Sequence, residues 1–272
     1  MTRTAMAALA VGLMSRVAQA VDITTCGQMV PANQVGTLVA NLDCSGAPTG
    51  SAAVSLSNRS RLEMGVHSIT TPPGGLGIAC TQVRCAVTGS GAILTPPLDP
   101  GVGIYAVRNV TVSGGIEIHG LRVGILANEG RVKASDVALS NNQDAVIAKK
   151  VKGTNVFIRD SDRVGIMAAR GVRGTHFEIR DSGWAAIQTR SFKLTELIAT
   201  TNGLASTSVG GAIIAPRGGI LIDSLLSANA LNGVPADIVT GRRPILINTS
   251  CNVSVRLIDD SPSGSWGVCS GD

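Results

Sequence analysis

Aromatic residues are almost absent from this 272-residue chain: two Trp, one Tyr and three Phe make up 2% of it. A rounded globule normally fills its centre with rings, each of which buries a large area. A core of Val, Ile, Leu and Ala suits short stacked strands better. Charge is also scarce, at 15%, and only three His are present. No Ser-His-Asp pattern, phosphate loop or zinc-ligand spacing occurs, which removes the common hydrolase, nucleotide and zinc-site signatures. Linkers, low-complexity blocks and charge runs are missing too, so nothing divides the chain into two globular units.

No apolar stretch is long enough to span a bilayer, which takes about 20 residues. The longest candidate, Ala5 to Met14, follows Arg3 and precedes Ala18-Gln19-Ala20. A basic residue, a short apolar run and a small-x-small site read as a secretory signal peptide over 1–20. Arg16 is unusual in that position, and a buried N-terminal helix is the alternative. Removal of 1–20 takes away Arg3 and Arg16 and no acid, so the formal charge falls from +5 to +3.

Six cysteines fit export to an oxidising compartment, secreted or periplasmic. They fall into three sequence-local pairs, Cys26-Cys44, Cys80-Cys85 and Cys251-Cys269. Six cysteines allow 15 connectivities, so local pairing is an expectation. The first pair would tie the opening segment and the last a C-terminal tail over 251–272.

What the chain has in abundance is repetition. A small residue, a β-branched residue and a polar turn recur in GIYAVRN, GILANEG, AVIAKKV, GIMAARG, AIQTRSF, AIIAPRG and DIVTGRR. They align Ile104, Ile125, Val146, Ile166, Ile187, Ile213 and Ile238 at spacings of 21, 21, 20, 21, 26 and 25. Ile78 and Val54 extend the column backwards. After each turn comes a period-2 run such as VKASDVAL, VFIRD or FEIRD, the signal of a strand. The corners (SNNQD, RDSDR, RDSGW, TTNG, SANALNG) are rich in Asn, Asp, Ser and Gly, with Asn142, Ser161, Ser182, Asn202 and Asn229 at comparable positions. A unit of 20 to 26 residues cannot bury its apolar face alone, and stacking makes the core continuous. A sandwich of hairpins would not preserve one column of Ile, and the Leu-x-x-Leu-x-Leu frame of leucine-rich repeats is absent. The expected fold is all-β, a single-stranded right-handed parallel β-helix of about nine coils over 21–250. Its handedness follows the usual chirality of parallel crossovers.

ITTCGQMVPANQVGTLVANLDCSG, RLEMGVHSIT and GIACTQVRCAVTGSGAI resemble the N-terminal coils of secreted bacterial right-handed β-helix repeat proteins with the pectate-lyase-like fold. The resemblance covers nearly the whole chain after residue 20. It implies the fold and leaves activity open, because this fold hosts lyases, hydrolases, epimerases and adhesins. His67 lies in a phrase resembling the family's Gly-His-x-Ile segment and reads as a structural coil residue.

Three surface clusters carry candidate chemistry. A basic stripe falls near the first turn of nearly every coil: Arg108, Arg131, Lys149, Lys150, Lys152, Arg170, Arg173, Arg190, Lys193, Arg217, Arg242 and Arg243. Such an array focuses field toward a long polyanion, and an acidic polysaccharide or a cell-surface partner fits its shape. Solvated turns also explain it, since edge charges discourage aggregation. Without interleaved aromatics to stack bases, the stripe does not read as a nucleic-acid site.

The second cluster is Asp160, Asp162 and Asp181, whose stacked carboxylates suit Ca²⁺; Arg159, Arg163 and Arg180 could neutralise them with no metal. The third comprises Glu117, His119, Arg159, Glu178 and Arg180, groups able to do acid–base work or to form ladder ion pairs. Lyases of the resembled fold pair Ca²⁺ with a basic residue that removes the proton α to a uronate carboxylate. A Ca²⁺-dependent lyase or epimerase is therefore the alternative to a binding protein.

Trp184, Trp266 and Phe157 are the aromatics available to a sugar. His176 reads as a solvated turn residue, and Asn58, Asn109, Asn248 and Asn252 open three-residue glycosylation motifs. Inserts TPPLDPGV, NGLASTSVG and ANALNGVPA are the expected cleft walls.

Overall fold

The computed structural model describes residues 20–96, 99–203, 211–231, 234–259 and 261–272. Residues 1–19 of the expected signal peptide, LASTSV and parts of the other two inserts lie outside them. The described chain winds into a parallel β-solenoid of about nine turns. Its coil-to-coil pairings form three parallel columns, the first, second and third sheets below, each receiving one short strand per turn.

The first sheet contains the Ile column. Val54, Ile78, Ile104, Ile125, Val146, Ile166, Ile187, Ile213 and Ile238 pair in register from coil to coil. Every one of them is buried. Gln28 adds a rung below Val54 and Ser254 one above Ile238. The tail expected to begin at 251 thus still contributes a strand, Ser254–Ile258, to this sheet. The residue before eight of the nine column positions is Gly or Ala (Asp237 precedes Ile238), because the next coil's backbone passes close by: a Cβ on Gly124 would meet the Ala145 carbonyl oxygen at 2.6 Å.

A first corner turns the chain into the second sheet, where 109–113, 131–135, 150–154, 171–175 and 192–195 stack. One residue then makes the corner into the third sheet. Asp136, Asn155, His176, Glu196 and Asp223 hold left-handed φ between 48° and 57° there. Asn and Asp tolerate that region best, which explains most of the choices. A third corner returns the chain to the first sheet through Asn141, Asp160, Asp181, Thr201 and Ala228, also left-handed.

The residue after each of these, namely Asn142, Ser161, Ser182, Asn202 and Asn229, points inward and is buried. The three Asn side chains there are hydrogen-bonded, as buried polar groups usually are, whereas the Ser161 and Ser182 hydroxyls have no partner among the described residues. Asn202 is bonded on every side. Its amide donates to the carbonyls of Ile179 (3.2 Å) and Thr200 (2.9 Å), and its Oδ1 accepts from the Ser182 amide (3.0 Å). Asn229 continues the ladder to buried Asp237 at 2.7 Å.

All six cysteines pair as expected from their spacing, Cys26–Cys44, Cys80–Cys85 and Cys251–Cys269. The middle bridge straps the first corner between the strands Leu76–Cys80 and Arg84–Thr88. Among the described residues no helix is long and apolar enough to cross a membrane.

Candidate functional site

Two features run side by side along the solenoid, one on the outer face of the first sheet and one on that of the second.

On the first sheet the residue after each column position faces outward. Leu126, Ile147, Met167, Gln188, Ile214 and Val239 occupy this position on successive coils. They line a groove of about 1270 Å³ whose floor spans five coil steps, about 24 Å at 4.8 Å per step. One end is closed by the tail hairpin: Leu257 and Pro262 line the groove there, and Val255 and Leu257 pack on Ile214 and Val239.

Lys149, Arg190 and Arg217 line the rim at the first corner, with Asn128 and the acid Glu129. The opposite edge of the sheet stacks Gln143, Arg163 and Trp184 through backbone hydrogen bonds, and the Arg122 carbonyl accepts from the Asp144 amide. There the Arg163 guanidinium lies 4.5 Å from the centre of the Trp184 ring and 3.3 Å from the Asp144 carboxylate. Burial pushes the Asp144 carboxyl above its usual range, and the Arg163 charge and the Val164 amide oppose that push.

On the second sheet, Lys133, Lys152, Arg173 and Lys193 occupy one outward position on four consecutive coils. All four are exposed, and among the described residues none forms an ion pair with an acid. Two residues on, the next outward position holds Ser113, Ser135, Thr154, Thr175 and Thr195 in register. A basic ladder thus runs beside a hydroxyl ladder, one rung of each per coil.

The structure divides the twelve basic residues of the sequence stripe. Lys152, Arg173 and Lys193 stand on the ladder. Arg108, Arg131, Lys149, Lys150, Arg170, Arg190, Arg217, Arg242 and Arg243 lie at or beside the first corner, between ladder and groove. The Arg217 amide donates to the Arg190 carbonyl, so these corner residues also stack coil on coil. Lys133 was not in the stripe. Its signal is the repeated apolar-basic dipeptide Val132-Lys133, Val151-Lys152, Val172-Arg173, Phe192-Lys193. The groove floor was missed as well, along with the Asp144–Arg163 pair.

The other two clusters come apart or fill their own needs. Asp160 and Asp181 do occupy equivalent corners on adjacent coils. Asp181, however, accepts a 2.5 Å hydrogen bond from the Thr201 hydroxyl. Among the described residues no group of three His, Cys, Asp or Glu side chains could hold a metal ion, so Asp160, Asp162 and Asp181 do not assemble as a Ca²⁺ cage.

On the third sheet, Glu178 is held between Arg159 (3.3 Å) and Arg180 (2.9 Å). Glu117 lies three coils away in the same column, about 14 Å by the coil spacing. His119 bonds Ser140 at 3.0 Å. These five residues therefore share a face without converging on one reacting atom, which acid–base chemistry requires.

The tail holds Trp266, whose indole N–H donates to the Thr240 carbonyl. Phe157 is exposed on the third sheet, two coils from Glu117 with Ala138 between them. Comparison with protein-family models, curated proteins and solved structures finds no match to the chain.

Proposed function

We propose that this protein is an exported solenoid of the pectate-lyase-like β-helix type that binds an extended acidic polysaccharide along its basic flank. The observation that carries the reading is the ladder of Lys133, Lys152, Arg173 and Lys193, in register on four coils and, among the described residues, without acid partners. Four like charges about 4.8 Å apart repel one another unless a counter-charge lies over them. A polymer with a carboxylate or sulfate at regular intervals supplies that counter-charge along the whole row. A small anion would satisfy only a rung or two.

The neighbouring Ser and Thr rungs offer a donor and an acceptor per coil, which suits sugar hydroxyls. On the other side of the corner, Lys149, Arg190 and Arg217 continue the positive field to the groove rim, and the groove's apolar floor can receive the C–H face of a sugar ring. Three disulfides are compatible with an extracellular setting.

The test is a panel of pectate, alginate and glycosaminoglycans with Ca²⁺ present. Binding and ultraviolet absorbance of unsaturated uronates are recorded in the same wells. Salt-sensitive binding without an absorbance rise is the expected result. An absorbance rise would replace binding alone by lyase chemistry, and failure to bind any acidic polymer at low salt would overturn the proposal.

A further inference from the structure

The outward columns of the second sheet change character on the last two coils. The position held by Lys133, Lys152, Arg173 and Lys193 passes in register to Ile220 and Ile245. The hydroxyl position passes from Thr195 to Ile222 and Ile247. Ile245 is 55% exposed and Ile247 46%. Around the corner Leu225, 44% exposed, continues the apolar surface in register with Ile198. Ile220 and Ile222 are half-buried; four outward isoleucines, two of them exposed, on one patch next to a Lys/Thr surface need another explanation than strand preference: contiguous apolar patches mark interaction surfaces.

The surroundings of the patch choose the partner. Lys193 borders it on the preceding coil. Arg217, Arg242 and Arg243 border it at the first corner, two or three residues before Ile220 and Ile245. All four are exposed, and among the described residues none is ion-paired. Of the acids nearby in sequence, Asp237 is buried, and Glu196 and Asp223 sit at the opposite corner, where Glu196 meets His176 and Asp223 accepts from Asn248. An apolar centre with a positive margin disfavours a second copy of the chain, which would bring Arg against Arg. It complements an anionic lipid surface, where Ile side chains enter the acyl boundary and Lys and Arg lie among the headgroups.

We infer that the C-terminal two coils form a peripheral docking face for an anionic membrane surface, with Ile220, Ile222, Ile245 and Ile247 inserting and Lys193, Arg217, Arg242 and Arg243 holding the headgroups. The docking face shares Lys193 and Arg217 with the polymer-binding flank but rests on the isoleucine patch, which begins one coil after the ladder ends.

The test is flotation of the full chain with phosphatidylcholine vesicles and with equimolar phosphatidylcholine and phosphatidylglycerol vesicles. Binding to the mixed vesicles should exceed that to the neutral ones by about tenfold. The Ile245→Ser/Ile247→Ser variant should lose most of it while keeping the wild-type circular dichroism, melting temperature and binding to acidic polysaccharide. The Arg242→Glu/Arg243→Glu variant should lose the preference for anionic lipid. No binding of the wild type, or full binding by the isoleucine variant, overturns the inference; the second outcome would assign the vesicle affinity to the basic ladder alone. A concentration-dependent dimer abolished by the isoleucine substitutions, with no vesicle binding, would replace the membrane by a second copy.

Discussion

Lys152 and Arg173 occupy the same outward position on adjacent coils of the second sheet, and neither has an acid beside it among the described residues. Directly opposed like charges in a sheet are destabilising, so this pair is a cost in the free protein that a bound polyanion removes. Reversing both, Lys152→Glu/Arg173→Glu, should weaken polymer binding about ten- to hundredfold at low salt and flatten its salt dependence. Reversal of Arg59 and Arg84, on the N-terminal coils, should leave binding near wild type. Equal losses from the two double variants, read by titration at several salt concentrations, would mean that net charge and not the ladder is responsible.

A second prediction concerns the inward side of the third corner. Asn202 is fully buried, and its side chain bonds three backbone groups in addition to Asn229. Asn202→Ala strands the Ser182 amide and the Ile179 carbonyl away from water. The expected loss is about 2–4 kcal/mol in chemical denaturation, because two buried polar groups are left unmade. A change below about 0.5 kcal/mol would show that the corner repacks around the gap.

The disulfide pairs followed only from proximity along the chain, one choice among 15 connectivities, while the Ile column and the corner Asn residues were legible in the sequence because each recurs with the coil period. The groove was not. GILA, AVIA and GIMA are apolar at both the inward and the outward position, and a continuous apolar run reads as a strand buried on both faces. Only three-dimensional packing tells Ile125, which faces the core, from Leu126, which faces the groove.

The basic stripe was half legible for a related reason. Counting basic residues from the Ile column to the turn locates the corner, whereas the ladder obeys the period-2 pleat beyond it. Lys133 is therefore recovered only by aligning second-sheet strands with one another. Asp160, Asp162 and Asp181 looked like a cation site because sequence proximity does not reveal that corner Asp residues adopt left-handed φ and bond locally, as Asp181 does with Thr201.

The Asp144–Arg163 pair should respond asymmetrically to mutation. The Asp144 side chain is 4% exposed and that of Arg163 36%. Burial raises the Asp144 pKa, and Arg163 is the charge that opposes the rise. Arg163→Met therefore leaves a buried carboxylate without its counter-charge. A carboxyl whose folded pKa lies above its unfolded value costs stability as pH rises from the unfolded value through the folded one. The deficit of Arg163→Met should thus be small near pH 3 and grow to about 1–3 kcal/mol at pH 7, less than for a fully buried pair because Arg163 is half-exposed. Adding Asp144→Asn should recover part of that deficit. A deficit independent of pH in urea denaturation would assign the effect to lost packing on Trp184 instead.

Asp272 should act in the opposite direction, as an acid-sensitive clasp on the tail. Burial works to raise its pKa. That effect is outweighed by hydrogen bonds from the Ser254 hydroxyl (2.5 Å) and amide (2.6 Å) and from the Cys269 and Val268 amides (both 2.7 Å). Its carboxyl is accordingly lowered from 3.8 to about 2. A depressed folded pKa contributes stability that is present above the unfolded value and lost as pH falls through the folded one. Wild type should therefore exceed Asp272→Ala in tail stability at pH 7, and the difference should close between about pH 4 and pH 2. Hydrogen exchange of the Val268 and Cys269 amides reports this locally, where a global melt would dilute it. Protection that stays constant through that window would show that the Cys251–Cys269 bridge alone holds the tail in place.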